Sequence, residues 1–313
     1  MKMIAPVKLT PACKDYLWGG LRLKEEFHKE SPLSPLAETW ELSAHKDGQS
    51  TLPDGRTLSE YVKQTGTEVL GKNCEKYDYF PLLIKFIDAK GDLSVQVHPW
   101  DAYAKEKEGE YGKTEMWYVL DCEEGATLYY GFARDVTEEE YRTAIQEGHL
   151  TELLNKVKVK KGDVFFIPAG TVHAIGAGIL ICEIQQNSNT TYRVYDYNRR
   201  DKDGNLRPLH IEKAIEVSNR RKTVLPSDLS KDEDAILATC EYFEVRRLRC
   251  DGTKTFSTDR QSFCGLTVTD GEGTLHYGEE RCPLRKGDTL FLAAQELEYT
   301  VCGTCEILLS KVN

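Results

Sequence analysis

The 313-residue sequence has no apolar run approaching the roughly 18 to 20 residues that cross a bilayer as a helix. Its opening stretch, MKMIAPVKLTPACKDY, lacks the apolar core of a secretory signal, so a cytoplasmic location is expected. A surplus of basic charge is also missing. The 41 Lys and Arg face 51 Asp and Glu, a net charge of −10, which argues against nucleic acid or an anionic membrane as partner. Paired cysteine motifs are absent. Ten cysteines are scattered along the chain, and the single CxxC, Cys302 to Cys305, has no second pair to complete a zinc site. In a reducing compartment they read as small buried hydrophobes rather than bridges. What remains is an ordinary globular composition, 40% apolar and 29% charged, in a chain long enough for about two domains.

Strand signals dominate. Short apolar or alternating runs separated by Gly, Pro and Asp predict strands over 82–89, 93–98, 115–121, 127–132, 163–169, 179–185 and 190–197, then over 241–248, 263–270, 288–294 and 305–310. Turn signals at this spacing indicate an antiparallel sandwich or barrel. Helices are few. Thr57 to Glu60 is a capping box opening a helix that Gly71 should stop, and Thr137 opens another ending near Gly148, with LTELLNKV expected to follow as helix. A fourth is predicted over 208–218, with Pro208 in its first turn. The charged stretch 219–235, interrupted by Pro226, reads as a linker. Lys161-Gly-Asp-Val-Phe-Phe-Ile-Pro-Ala is echoed 125 residues later by Lys286-Gly-Asp-Thr-Leu-Phe-Leu-Ala-Ala, which implies two related β units. The echo fails where chemistry would sit, because the position matching His173 is Glu298.

Candidate site residues gather in the first unit. Strict alternation puts Ser94, Gln96 and His98 on one strand face and Leu93, Val95 and Val97 on the other. Lys113 and Glu115 share a face at the start of an apolar strand, and His173 follows the Pro-Ala-Gly turn of GDVFFIPAGTVH. Gln96, His98, Glu115 and His173 offer two imidazoles, a carboxylate and an amide oxygen without a thiolate, a donor set suited to Zn²⁺ or another borderline divalent ion. Glu183 lies in the apolar strand ILICEIQ, where burial should raise its pKa. Arg193, among tyrosines, either pairs with Glu183 structurally or handles an anion at a cavity mouth.

The segments LSVQVHP, GKTEMWYVL, PAGTVHAIGAG and EIQQNSNTTYRVYDYNR, followed by LHIEKA, resemble the short bacterial form of the type I mannose-6-phosphate isomerases, within the cupin superfamily. The resemblance runs from WGG at 18–20 to the C-terminal strands, with small departures at Val95 and Asn189. It implies an all-β-dominated fold of two cupin-type antiparallel jelly-roll barrels with a few peripheral helices. Residues 1–222 would form the catalytic domain and 223–313 a metal-free jelly roll. It implies a zinc-dependent aldose–ketose isomerase that interconverts D-mannose 6-phosphate and D-fructose 6-phosphate through a cis-enediol. One Zn²⁺ per chain would bind Gln96, His98, Glu115 and His173, and Arg193 would be the essential arginine. Ser94 and Lys113 would bind the substrate phosphate, and Glu183 is the first candidate for the base, ahead of a metal-bound water or a second histidine. The expected partner is a phosphorylated hexose, with no nucleic acid or membrane, and the expected assembly is a monomer or weak homodimer.

Overall fold

The structure, a computed structural model, describes residues 3–200, 204–225 and 234–313. It is mostly antiparallel β. In the N-terminal unit a six-stranded sheet runs in the spatial order Val164–Ile167, Glu115–Cys122, Ile179–Gln186, Leu82–Ala89, Glu38–Leu42, Ala12–Lys14. A five-stranded sheet runs Leu154–Lys158, Thr127–Phe132, His173–Ala174, Val95–Val97, Tyr192–Tyr195. The C-terminal unit is a seven-stranded sheet built on three long strands, Glu244–Thr258, Cys264–Tyr277 and Leu297–Lys311. Val7–Lys8, from the far end of the chain, pairs with Thr289–Leu292 at its edge.

Period-two alternation decides what each face of the six-stranded sheet meets. Ile87, Trp117, Val119 and Ile181 pack inward with Leu128 of the second sheet and with Ile175, which follows its strand His173–Ala174. The intervening Ile84, Phe86, Met116, Tyr118 and Ile184 pack outward against Phe243, Phe263, Phe291 and Leu308 of the C-terminal unit. On the second sheet Val95 and Val97 lie under Tyr141, Ala144, Ala214 and Ile215 from the helices Glu138–Glu147 and Ile211–Val217. Val95 and Val97 therefore leave Gln96 and His98 facing the interior, as the alternation predicts. Leu93 departs from it and packs with Ile87 and Ile175.

Several local expectations are corrected. The capping box at Thr57 and Glu60 is formed, but the helix spans Leu58–Thr65 and stops at Gly66, whose φ is 109°. Thr67–Leu70 continues as a 3₁₀ turn before Gly71. LTELLNKV is not a helix: Leu150–Leu153 is a 3₁₀ turn, and Leu154–Lys158 is captured as an edge strand by Thr127–Phe132. The fourth helix begins at Ile211 rather than near Pro208, because Pro208 and His210 accept and donate hydrogen bonds to Arg193. The three long C-terminal strands overrun their predicted ends because Gly252, Gly303 and Gly273 lie side by side and let the paired strands bend without breaking. A Cβ on Gly303 would lie 2.6 Å from the Gly273 Cα. Helices Arg22–Glu25 and Asp101–Lys107 and the strand Glu38–Leu42 carried no recognised signal. Positions 226–233 of the predicted linker lie outside the described residues.

Candidate metal centre

Two cross-strand rows build the site. On the six-stranded sheet, Trp40, Lys85, Glu183, Trp117 and Phe165 lie opposite one another on successive strands, and Glu115 lies opposite Gln185 and Ile167. On the other sheet, His173, Gln96 and Arg193 form a row. The sheets face each other, so residues from four distant segments meet in the interior. The Pro-Ala-Gly turn is tied to the ligand strand by Ala169 N donating to Thr114 Oγ1 at 3.3 Å. Gly170 has a φ of 87°, and a Cβ there would stand 2.8 Å from the Val217 carbonyl oxygen, so glycine is required.

His98, Glu115 and His173 are the one group of His, Cys, Asp or Glu side chains among the described residues that could hold a metal ion. Their ligand atoms lie within 4.8 Å of one another. His173 Nε2 is 3.2 Å from Glu115 Oε1, and His98 Nε2 is 3.7 Å from Glu115 Oε2. The imidazole Nδ1 atoms each face a backbone carbonyl at 2.9 Å, Thr190 for His98 and Thr171 for His173. Those carbonyls can accept only from Nδ1–H, which leaves both Nε2 lone pairs aimed at the centre. Burial, reinforced by the nearby Lys113 cation, pushes His98 well below its ordinary pKa and His173 down to about 4, so both imidazoles are neutral at pH 7.

Both carboxylate oxygens of Glu115 and His173 Nε2 are buried without a hydrogen-bond partner, although Lys113 Nζ stands 2.7 Å from Glu115 Oε2 as an ion pair. Orphaned buried acceptors of this kind are costly unless a cation completes them. The donor set fits a borderline divalent metal. Gln96 lies directly opposite His173 in the ladder, half-buried at the rim of the cluster.

Glu183 overturns one expectation. Burial alone would raise its pKa, but Lys113 and Lys85 outweigh burial and hold the carboxyl well below its ordinary range. Lys85 Nζ is 3.3 Å from Glu183 Oε1, Lys113 Nζ is 3.5 Å from it, and Trp117 Nε1 donates to Oε2 at 2.9 Å. The partner of Glu183 is therefore this lysine pair and not Arg193. The same two carboxylates crowd each other, and burial with the charge of Glu183 pushes Glu115 up. Arg193 instead donates from Nε to Ser94 Oγ at 3.3 Å and from Nη1 to the Pro208 carbonyl at 3.0 Å.

Lys85 and Glu38, 3.9 Å from it, were missed. The signal was present: a lysine inside LLIKFIDA is as desolvated as a glutamate inside ILICEIQ, and each implies the other. A cavity of about 1240 Å³ lies elsewhere, against Val62, Leu70, Tyr77, Arg260 and Gln295, and takes in none of the ligating residues.

Residues 7–127 match the phosphomannose isomerase type I catalytic domain, and residues 233–312 match the mannose-6-phosphate isomerase cupin domain. The mannose-6-phosphate isomerase ManA of Bacillus subtilis is 41% identical over 97% of this chain and 98% of its own length. That of Streptococcus mutans is 40% identical over 99% of both. The crystal structure of a mannose 6-phosphate isomerase from Bacillus subtilis superposes with a TM-score of 0.89 at 39% identity, covering 98% of this chain and 99% of that one. A Salmonella typhimurium phosphomannose isomerase, at 17% identity and a TM-score of 0.81, shares the fold. With cupin-type sheets, a buried two-histidine, one-carboxylate centre and full-length relatives of this similarity, the chain belongs to the type I mannose-6-phosphate isomerase family.

Proposed function

We propose that this chain interconverts D-mannose 6-phosphate and D-fructose 6-phosphate through a cis-enediol, with one zinc ion per chain. The observation that carries the reading is the convergence of two neutral imidazoles on a buried carboxylate whose oxygens lack hydrogen-bond partners. His98, Glu115 and His173, with Gln96, would hold the metal. When bound, a divalent ion polarises the substrate carbonyl and stabilises the oxyanion that develops as the adjacent C–H is lost.

The chain's own residues divide the rest of the work. Lys113 belongs at the reacting end rather than at the phosphate, because its ammonium sits 2.7 Å from Glu115 and 3.2 Å from His98 Nε2. There it holds or donates a proton at O1 or O2. Glu183, kept ionised by its two lysines, is a poor match for a base working near neutrality, and it acts as the counter-charge that orients Lys113 and Lys85. Arg193, beside Ser94 on the opposite sheet, holds the substrate's oxygens and aligns its chain. The C-terminal unit, 223–313 in this division, is scaffold. A cytoplasmic, monomeric or weakly dimeric enzyme completes the reading, in keeping with ten free thiols.

A coupled assay for fructose 6-phosphate formation tests it, run on the protein as purified, after chelation and after zinc restoration. Turnover should vanish with the chelator and return with zinc. A zinc-loaded, folded protein with no turnover of mannose 6-phosphate would overturn the proposal.

A further inference from the structure

Beyond the metal centre the interior face of Val95–Val97 works as a ruler. At about 3.3 Å of rise per residue, Ser94 lies roughly 13 Å along the strand from His98. Arg193 is bonded to Ser94 at this far end. Just past Arg193, the buried carboxylate of Asp196 receives two guanidinium groups. Arg207 grips it with a fork, Nε to Oδ2 at 2.6 Å and Nη2 to Oδ1. Arg199 donates to the same Oδ1 and to the Asp92 carbonyl. Two arginines thus share one carboxylate, three residues past Arg193.

A purely structural ion pair needs one cation per carboxylate, and crowding cations costs Coulomb energy. Arg193 registers that cost: burial, then Arg207 and Arg199, lower its pKa, with Asp196 opposing. The surplus of positive charge is also placed over the site. Arg199 is tied to the Asp92 carbonyl, two residues before Ser94 at the far end of the ruler. Among the described residues, the Asp196 fork takes two of the five N–H donors of Arg207.

We propose that Arg199 and Arg207, braced on Asp196, are substrate-positioning residues that clamp the phosphate of the sugar, at the end of the site opposite Lys113. This rests on the reading of the substrate as a phosphorylated aldose. Fixing the dianion at one end orients the reacting carbons at the other.

The test compares zinc-loaded wild type with Arg207→Met and Arg199→Met on mannose 6-phosphate and on unphosphorylated mannose. Removing a forked, charge-assisted contact should lower kcat/KM for the phosphorylated sugar about 100-fold, mostly through KM, while mannose changes by less than about threefold. Arg207→Lys, which keeps the charge but not the fork, should recover only part of the loss. Equal losses on both sugars would mean a structural role and overturn the clamp. Wild-type failure to turn over mannose 6-phosphate would sink the isomerase reading separately. The clamp would then still be judged by calorimetry with inorganic phosphate, whose affinity should fall at least tenfold in Arg207→Met, and an unchanged affinity would overturn it. Should Arg207→Met not fold, phenylglyoxal labelling of the wild type replaces it. Inorganic phosphate should protect Arg199 and Arg207, and equal labelling with and without phosphate would overturn the proposal.

Discussion

The two β units share a frame and differ in what fills it. In the first, Lys160 N donates to Asp163 Oδ2 at 2.9 Å, Gly162 N to Val119 O at 2.8 Å and Val119 N to Asp163 O at 2.9 Å. In the second, Arg285 N donates to Asp288 Oδ2 at 3.0 Å, Gly287 N to Val268 O at 2.9 Å and Val268 N to Asp288 O at 2.8 Å. The two glycines have φ of 89° and 91°. The repeated KGD turn is one structure made twice. Yet on this shared register Glu115, opposite Ile167, is matched by Cys264, opposite Leu292. Glu298, the counterpart of His173, is exposed. The interior of the second unit is Leu248, Leu266, Val268, Leu290, Tyr299 and their apolar neighbours. A β frame of this kind is neutral to chemistry. Buried charge survives in the first unit because Lys85, Lys113, Glu115 and Glu183 neutralise one another, and none of them is buried alone.

The units also differ at one hairpin. Cys264–Tyr277 turns directly into Glu280–Arg285, whereas Thr127–Phe132 and Leu154–Lys158 are separated by the segment that holds Glu138–Glu147. That helix roofs the outer face of the sheet that carries Gln96 and His173. It lets the strand Val95–Val97 keep an apolar outside and a polar inside.

This contrast can be broken most sharply at Glu115. Glu115→Gln should leave the far-UV spectrum intact while zinc content by atomic absorption falls several-fold and kcat falls at least ~1000-fold, since the central ligand loses its charge. Activity near wild type would remove Glu115 from the centre. Lys85→Met attacks the balance of charge. It leaves Glu183 with one cation fewer and should cost about 3 kcal/mol in urea unfolding, with kcat also falling. A loss under 1 kcal/mol would show the row is not a mutually neutralised unit. Leu266→Ala, in the apolar interior of the second unit, sharpens the other side of the comparison. It should cost roughly 2 to 4 kcal/mol yet leave kcat per folded molecule unchanged. Thr137→Ala removes the cap of the inserted helix, where Glu140 N donates to Thr137 Oγ1 at 3.1 Å, for about 1 kcal/mol. The smallest effect belongs to Lys161→Ala, which breaks the exposed 2.9 Å bridge to Asp270 between the units and should shift stability by less than about 0.5 kcal/mol. Both of these last values are read from denaturant midpoints at constant m.

Much of this was legible beforehand because it is periodic or local. The alternation of SVQVH sets Gln96 and His98 facing inward, the Thr57 and Thr137 caps formed as read, and the KGD echo marked two units. The errors have a common cause in partners that lie far along the chain. LTELLNKV looks helical until the edge of Thr127–Phe132 captures it. Glu183 looks like a raised carboxyl until Lys85, 98 residues earlier, is found directly opposite. Lys113 looks like a solvated lysine at a strand start until its ammonium is found 2.7 Å from Glu115 Oε2.

The sequence by itself determined the strand faces, the helix starts, the donor types available for a metal and the unequal repeat, because these depend on spacing within a few residues and on side-chain chemistry. Only the tertiary structure decided which charges neutralise which, where Lys113 points, and that two arginines share one aspartate. Those outcomes depend on cross-strand register and on burial, and a pairwise Coulomb interaction acquires its size only once the groups have been brought together and withdrawn from water.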